Sequence, residues 1–171
     1  MGEFKRGGLM INIIKSDMKF VESFNLLVGE VAKERKYLAA VEPFPLESTK
    51  ILLTKIIDND LSQFFAIKSD RVIGWCDILP KAFKGMDHVG ILGMGVDKKY
   101  RNQGIGKRLL AKTLKHAKSK NLEKIELEVF EKNTTAIKFY EKHQFFREGM
   151  RLKSRKIDGK YDNILLMGLF F

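Results

Sequence analysis

The sequence predicts a mixed α+β domain, and three observations lead to this fold class. Apolar residues alternate in some segments, as in strands, and recur every three or four residues in others, as in helices. These segments follow one another in the order β-α-α-β-β-β-α-β-α-β-β, with no internal repeat or long linker. The chain of 171 residues is 44% hydrophobic, which is enough to form one core without disulfide bonds.

The boundaries of these elements follow from the apolar periods and from the turn residues between them. Strands are predicted at residues 10–15, 63–68, 71–78, 88–96, 124–130, 149–157 and 160–170. Helices are predicted after residue 16 or 17, over residues 46–57, from residue 105 and after residue 133. The pairs Ser69-Asp70 and Asp158-Gly159 are typical of hairpin turns, and the strand over 88–96 is expected to be buried.

Composition limits the classes of protein to which the chain can belong. The single cysteine, Cys76, excludes a disulfide framework and favours a reducing, cytoplasmic compartment, and we expect it to pack as a small apolar residue. No apolar run approaches the length of a membrane span, so no membrane partner is expected. Residues 1–9 lack the apolar segment of a secretory signal. We expect them to be a leader or a cloning remnant before a single domain at residues 10–171.

The most informative segment is a basic, glycine-containing loop between a predicted strand and a predicted helix. It contains the pattern Arg-x-x-Gly-x-Gly, from Arg101 to Gly106. Backbone N–H groups at a helix start point toward one position, the helix dipole favours an anion there, and glycines let its oxygens approach. The expected phosphate-binding residues are Arg101, Asn102, Gln103, Gly104, Ile105, Gly106 and Lys107.

A second pattern follows the strand predicted at 124–130. Asn133 can cap the next helix, on which Ala136 and Tyr140 share one face. The two patterns together resemble the acyl-CoA pyrophosphate loop and the Asn-x-x-Ala-x-x-Phe-Tyr-x-x-x-Gly-Phe signature of the GNAT N-acetyltransferase superfamily. Gln144 stands where the family usually has glycine, and this position is expected to need a left-handed backbone conformation.

The resemblance extends to the order of elements over nearly the whole chain. It implies a three-layer fold with a central, mostly antiparallel twisted sheet flanked by helices. It also implies an N-acetyltransferase that moves the acetyl group of acetyl-CoA directly to a primary amine, such as a small amine, an amino acid or a protein N-terminus. Beyond the loop, the implied cofactor contacts are the backbones of Met94 and Val96 together with Asn133, Ala136 and Tyr140. The Tyr140 hydroxyl is implied as the general acid near the thioester sulfur.

The attacking amine must first lose a proton, to a general base or through a chain of water molecules. Many relatives place a glutamate on the strand predicted at 88–96, and this sequence has none there. We expect His88 to act with Tyr140 as the catalytic residues. The alternatives to His88 as the base are Asp77, Glu128 and a water relay. His88 could also be a histidine at a strand edge with no catalytic role.

Residues 36–45 are expected to be irregular, and the resemblance implies that residues 34–45 form the wall of the acceptor site. Glu42 could pair with a cationic amine, and Tyr37 and Phe44 could form an apolar surface, although a plain surface loop is the alternative. No metal site is expected. The identity of the amine is open, and so is the choice between a monomer and a homodimer.

The net charge of +11 raises an alternative function, because such a charge attracts any polyanion. The chain could be a non-catalytic module that binds acyl-CoA or associates with nucleic acid. However, the basic residues are spread along the chain, without an arginine-rich tract or interleaved aromatic residues. CoA is itself a polyanion and accounts for part of the charge. We therefore expect no specific nucleic-acid partner.

Overall fold

The computed structural model describes residues 10–171, in which seven strands form one sheet with helices on both faces. The strands are β1 (Asn12–Lys15), β2 (Ser62–Lys68), β3 (Arg71–Pro80), β4 (Val89–Val96), β5 (Lys124–Phe130), β6 (Phe146–Ile157) and β7 (Lys160–Phe170). The helices are α1 (Val21–Lys33), α2 (Leu46–Asp58), α3 (Ile105–Ser119) and α4 (Thr134–Lys142). The leader expected at residues 1–9 lies outside the described residues.

The sheet is mostly antiparallel, as the resemblance implied. Its strand order is β1-β2-β3-β4-β5-β7-β6, and β4–β5 is the parallel pair. The predicted α+β class and the predicted order of strands and helices are therefore confirmed. None of the helices described is both long and apolar enough to cross a bilayer.

Strands β4 and β5 separate after their first residues. Their ladder runs from Val89 opposite Lys124 to Ile91 opposite Glu126, whereas β4 stays paired with β3 along its length. The expectation of a buried strand is correct for the start of β4 but wrong for its end, where Met94 and Val96 are half-buried. The reason is that β4 pairs with β3 at one edge there, whereas in the described chain no strand pairs with its other edge. A gap between β4 and β5 therefore opens toward the glycine loop.

Two apolar cores lie on opposite faces of the sheet. On one face α3 packs through its predicted stripe, and the buried residues are Ile105, Leu109, Leu110, Thr113 and Ala117. On the other face α1 and α2 cover Phe65 and Trp75 of the sheet with Phe24, Leu27 and Leu53. We call these the α3 face and the α1/α2 face. The sheet thus separates the molecule into three layers.

The predicted turns have the backbone conformations that their residues favour. Ser69 and Asp70 have φ values of 49° and 57°, and Asp158 and Gly159 have values of 50° and 76°. Gln144, after α4, has a φ of 69°, so the expected left-handed conformation at this non-glycine position is confirmed.

Candidate active site

The loop between β4 and α3 presents free backbone N–H groups at the start of the helix. Gly104 is the N-cap residue, and its φ of 77° is one that glycine adopts without strain. No side chain caps the helix at this position, and its first turn contains no acidic residue. The N–H groups of Ile105, Gly106 and Lys107 therefore lack partners within the helix. This geometry suits an anion such as a diphosphate.

The side chains of this loop contribute less than its backbone. Asn102 is exposed, with a φ of 61°, and Gln103 Nε2 donates to the Lys99 carbonyl at 3.2 Å. Ile105 is buried in the core on the α3 face. Lys107 is exposed and makes no ion pair within residues 10–171, so its charge is available to an anion.

Arg101 has a partner that the sequence analysis did not identify. Its guanidinium forms a two-point ion pair with Glu34 at the end of α1, with Nη1 at 2.9 Å from Oε2. Its Nε donates to the Val96 carbonyl at 2.9 Å, and the group stacks 4.8 Å from the centre of the Tyr37 ring. The hydrogen bonds to Glu34 raise the pKa of Arg101. Arg101 thus joins the predicted acceptor segment to the glycine loop, and Glu34 already balances its charge.

The substitution Glu34→Gln is expected to lower the free energy of unfolding by about 1–3 kcal/mol, because it removes the ionic partner of a half-buried guanidinium. Thermal unfolding followed by circular dichroism would measure the change. Glu47→Gln is the matched control, since Glu47 pairs with Lys50 on the surface of α2, where an ion pair contributes about 0–1 kcal/mol. Equal losses in the two variants would contradict the anchoring role of Arg101.

A second arginine binds the backbone of residues 34–45, the predicted acceptor segment. Arg155 of β6 donates to the carbonyls of Leu38 at 3.1 Å and Arg35 at 3.2 Å. It also pairs with Asp162 at 2.7 Å and lies 3.7 Å from the centre of the Phe130 ring. Basic residues are common in this chain, so the sequence contained no signal that singled out Arg155.

The three predicted acceptor residues differ in their surroundings. Tyr37 lies against Arg101, and the carbonyl of Phe44 accepts from Asn25 Nδ2 at 3.0 Å. The Phe44 ring itself is exposed. Glu42 is exposed and has no ion-pair partner in the described part of the chain. The structure therefore places Tyr37 beside the glycine loop and leaves Glu42 and Phe44 at the surface.

On the α3 face, the start of α3, the end of β4 and helix α4 meet. A Cβ atom added to Gly106 would lie 3.4 Å from Met94 Cε and 3.7 Å from Phe139 Cζ. The next residue of α4, Tyr140, is 8% exposed, and its ring centre lies 5.4 Å from that of Phe139. Residues from both sequence signatures are thus adjacent, as the resemblance implied.

Tyr140 is buried in a setting that keeps its hydroxyl protonated. Burial raises the pKa of its hydroxyl, with a smaller contribution from Cys76 of β3. Cys76 lies opposite Met94 in the ladder, and burial also raises the pKa of its thiol. Within residues 10–171, no group forms a hydrogen bond with the Tyr140 hydroxyl. The phenol is therefore neutral at physiological pH and has a free proton.

Asn133 lies across the gap, after the end of β5. Its Oδ1 accepts from the N–H of Ala136 at 3.2 Å, which confirms the predicted helix cap. The cap fixes the orientation of the side chain, and its Nδ2 group makes no hydrogen bond with any residue from 10 to 171.

On the α1/α2 face, the two glycines near the end of β4 make room for side chains of β3. Asp77 lies opposite Gly93, and a Cβ atom added to Gly93 would be 3.1 Å from Asp77 Oδ1. Trp75 lies opposite Gly95, and a Cβ atom there would be 2.3 Å from its Cη2. Burial raises the pKa of Asp77 to about 7, and the neighbouring Gln63 amide and Trp75 indole oppose the shift. Such a carboxyl group suits general-base chemistry near neutral pH.

The other candidate bases are less favourably placed. His88 is exposed just before β4, about 17 Å along the strand from Gly93 at roughly 3.3 Å per residue. It lines a separate cavity with residues such as Lys118 and Phe171. Glu128 is exposed on β5 and pairs with Arg151 at 2.7 Å. The structure thus places Asp77 beside Gly93 in the second half of β4 and His88 before the other end of that strand. No cluster of three potential metal ligands occurs among residues 10–171.

The described chain thus combines a parallel pair of strands that separate beside a glycine loop with a buried, neutral tyrosine on α4. Residues 30–145 match the model of the acetyltransferase (GNAT) family, which is more than half of the chain. The chain belongs to this family of acetyltransferases.

Individual relatives agree with this assignment. The chain is 29% identical over 102 residues to the L-amino acid N-acetyltransferase AaaT of Escherichia coli K12, which covers 59% of this chain and 63% of AaaT. The chain spans less than two thirds of the length of the curated relatives that it matches. A GNAT-family acetyltransferase from Streptococcus pneumoniae has a TM-score of 0.88 and 25% identity, covering 95% of this chain and 100% of that one. YncA of Salmonella typhimurium, solved with acetyl-CoA, shares the fold, with a TM-score of 0.87 and 11% identity over 94% and 93% of the two chains.

Proposed function

We propose that residues 10–171 form a single N-acetyltransferase domain that transfers the acetyl group of acetyl-CoA directly to a primary amine. The observation that carries the proposal is the gap between β4 and β5. It begins after Ile91 and Glu126 and ends between the glycine loop and Asn133. The gap therefore has unpaired strand backbone along one side and free helix N–H groups at its end, which match the amides and the phosphates of CoA.

In this proposal the backbone of the chain binds most of the cofactor. The N–H groups from Gly104 to Lys107 hold the diphosphate, and the exposed Lys107 adds charge. The backbones of Met94 and Val96 pair with the pantetheine amides as an added strand would. A free N–H of β4 polarises the thioester carbonyl, which makes it more electrophilic. Asn133 and Ala136 approach from the other side of the gap.

We assign the two proton transfers to opposite faces of the sheet. Asp77 accepts the proton of the attacking amine on the α1/α2 face, beside Gly93. Tyr140 donates its proton to the departing thiolate on the α3 face. The assignment is supported by their pKa values, since Asp77 can ionise near neutral pH and Tyr140 cannot. His88 has no part in this scheme because it lies far along β4.

The acceptor is a small amine, an amino acid or a protein N-terminus. One relative is named for its activity on L-amino acids, which favours amino acids for the first assays. The acceptor wall would consist of Tyr37, Glu42 and Phe44. A panel of amines, amino acids and N-terminal peptides, with release of CoA as the readout, tests the proposal. Binding of acetyl-CoA without turnover on any member of the panel would favour a non-catalytic acyl-CoA-binding module.

The substitution Gly104→Asp is expected to weaken acetyl-CoA binding at least about tenfold relative to Gly104→Asn. The two side chains have the same shape, both tolerate a positive φ, and no atom lies within 4 Å of an added Cβ. They differ in charge, and two like charges about 4 Å apart repel by about 4 kcal/mol near a protein surface. Isothermal titration calorimetry measures both affinities. Equal affinities of the two variants would contradict a diphosphate site at this helix start.

A further inference from the structure

A row of polar side chains crosses the α1/α2 face beside the proposed base. Gln63 lies opposite Asp77 in the β2–β3 ladder, and Asp77 lies opposite Gly93 in the β3–β4 ladder. Ser16, just after β1, extends the row because its N–H donates to the Gln63 carbonyl at 3.1 Å. Opposed residues of antiparallel strands project to the same face, so these side chains are neighbours.

The outer part of this row is buried without partners of its own. Gln63 is 0% exposed and Ser16 is 7% exposed. Among the described residues, neither polar atom of the Gln63 amide makes a direct hydrogen bond of standard geometry, and neither does the Ser16 hydroxyl. The amide is nevertheless close enough to Asp77 to lower the pKa of the carboxyl. A buried amide is normally satisfied, so Asp77 is the natural partner of this one.

We propose that Gln63 is a positioning residue for Asp77, whose carboxylate it orients toward Gly93 by donating an amide N–H. In this proposal the Ser16 hydroxyl, the other unpartnered polar group of the row, serves as the donor to the amide oxygen and so fixes which end of the amide faces Asp77. The hydrogen bond favours the ionised carboxylate, which is the form that accepts a proton from the amine. This inference rests on the proposed role of Asp77 as the general base.

Within residues 10–171, no charged group is among the causes of the pKa shift of Asp77. The residues of α1 and α2 that are buried against the sheet are uncharged. Strand β5 presents Glu126 and Glu128 to the same face, and both form ion pairs. Burial raises the pKa of the Cys76 thiol, which is therefore neutral at physiological pH. Gln63 and the Trp75 indole are the groups that favour the ionised form of Asp77.

The test is the pH dependence of kcat/KM for acetyl transfer in Gln63→Met, which keeps the length of the side chain and removes its polar atoms. The acid limb of the profile is expected to move upward by roughly one pH unit, because the carboxylate loses a donor. Turnover at pH 7 should fall about threefold to tenfold, since a smaller fraction of Asp77 is ionised. Ser62→Ala is the matched control, since Ser62 is 2% exposed on the opposite face, where it contacts His116 at 2.9 Å. Its acid limb should stay in place.

An unchanged acid limb in folded Gln63→Met would overturn the inference. If that variant fails to fold, Ser16→Ala replaces it, and an upward shift supports the inference whereas an unshifted limb rejects it. Asp77→Asn separates the two proposals. If Asp77→Asn keeps full turnover, the assignment of the base is wrong and this inference falls with it. If Asp77→Asn is inactive and the limb of Gln63→Met does not move, only the role of Gln63 is rejected.

Discussion

Asp77→Asn is expected to reduce acetyl transfer by about 100- to 10,000-fold, because the amide cannot accept the proton of the amine. Acetyl-CoA affinity should be nearly unchanged, since the cofactor contacts are assigned to β4, the glycine loop and α4. Steady-state kinetics and calorimetry on one preparation measure both quantities. In the wild type, kcat/KM should fall as the pH drops below about 7, where Asp77 becomes protonated.

The same substitution is expected to raise thermal stability at neutral pH. Folding raises the pKa of Asp77 from 3.8 to about 7, so between these values the folded state binds more protons than the unfolded state. Stability therefore falls as the pH rises through this window, and the loss is complete above pH 7. Asparagine is neutral throughout and avoids the loss. Melting temperatures should agree at pH 4 and diverge at pH 8, with the variant higher; a lower value at pH 8 would contradict the buried ionisation.

Tyr140→Phe is expected to reduce turnover by about 10- to 10,000-fold with little change in folding or acetyl-CoA affinity. Phenylalanine keeps the ring contacts with Phe139 and Phe145, at centre distances of 5.4 and 5.5 Å, and removes the proton donor. Single-turnover kinetics would place the defect in the chemical step. Tyr100→Phe is the control, since the Tyr100 ring lies 4.9 Å from the Lys68 ammonium and should tolerate the change. Wild-type turnover in Tyr140→Phe would make Tyr140 a packing residue.

Local patterns were sufficient to predict most of the fold. Two examples are the apolar stripe of α3, from Ile105 to Ala117, and the turn at Asp158-Gly159. Each depends on residues that are close in the sequence, so the local pattern is enough to predict it. The extent of burial of β4 was harder to predict. Apolar residues and glycines continue along the whole strand, and this pattern gives no sign that its pairing with β5 stops at Ile91. Pairing partners come from distant parts of the chain.

The site was predicted in part for the same reason. The glycine loop and the Asn133 cap are local features, and both were recognised. Glu34 and Arg101 are 67 residues apart, and their ion pair depends on how α1 ends over the loop. The contact between Gln63 and Asp77 depends on the register of the β2–β3 ladder, and a slip of one residue would destroy it. The imidazole of His88 has the chemistry of a base, but its position just before β4 separates it from the gap.

The packing of Trp75 on Gly95 has a practical consequence. Trp75 is the single tryptophan of the chain, so all tryptophan fluorescence comes from one position. The indole covers the backbone of β4 at Gly95 and favours the ionised form of Asp77. Emission from the unlabelled protein is thus a spectroscopic readout of the strand that is proposed to bind pantetheine. Its dependence on pH gives an optical titration of the proposed base, independent of turnover.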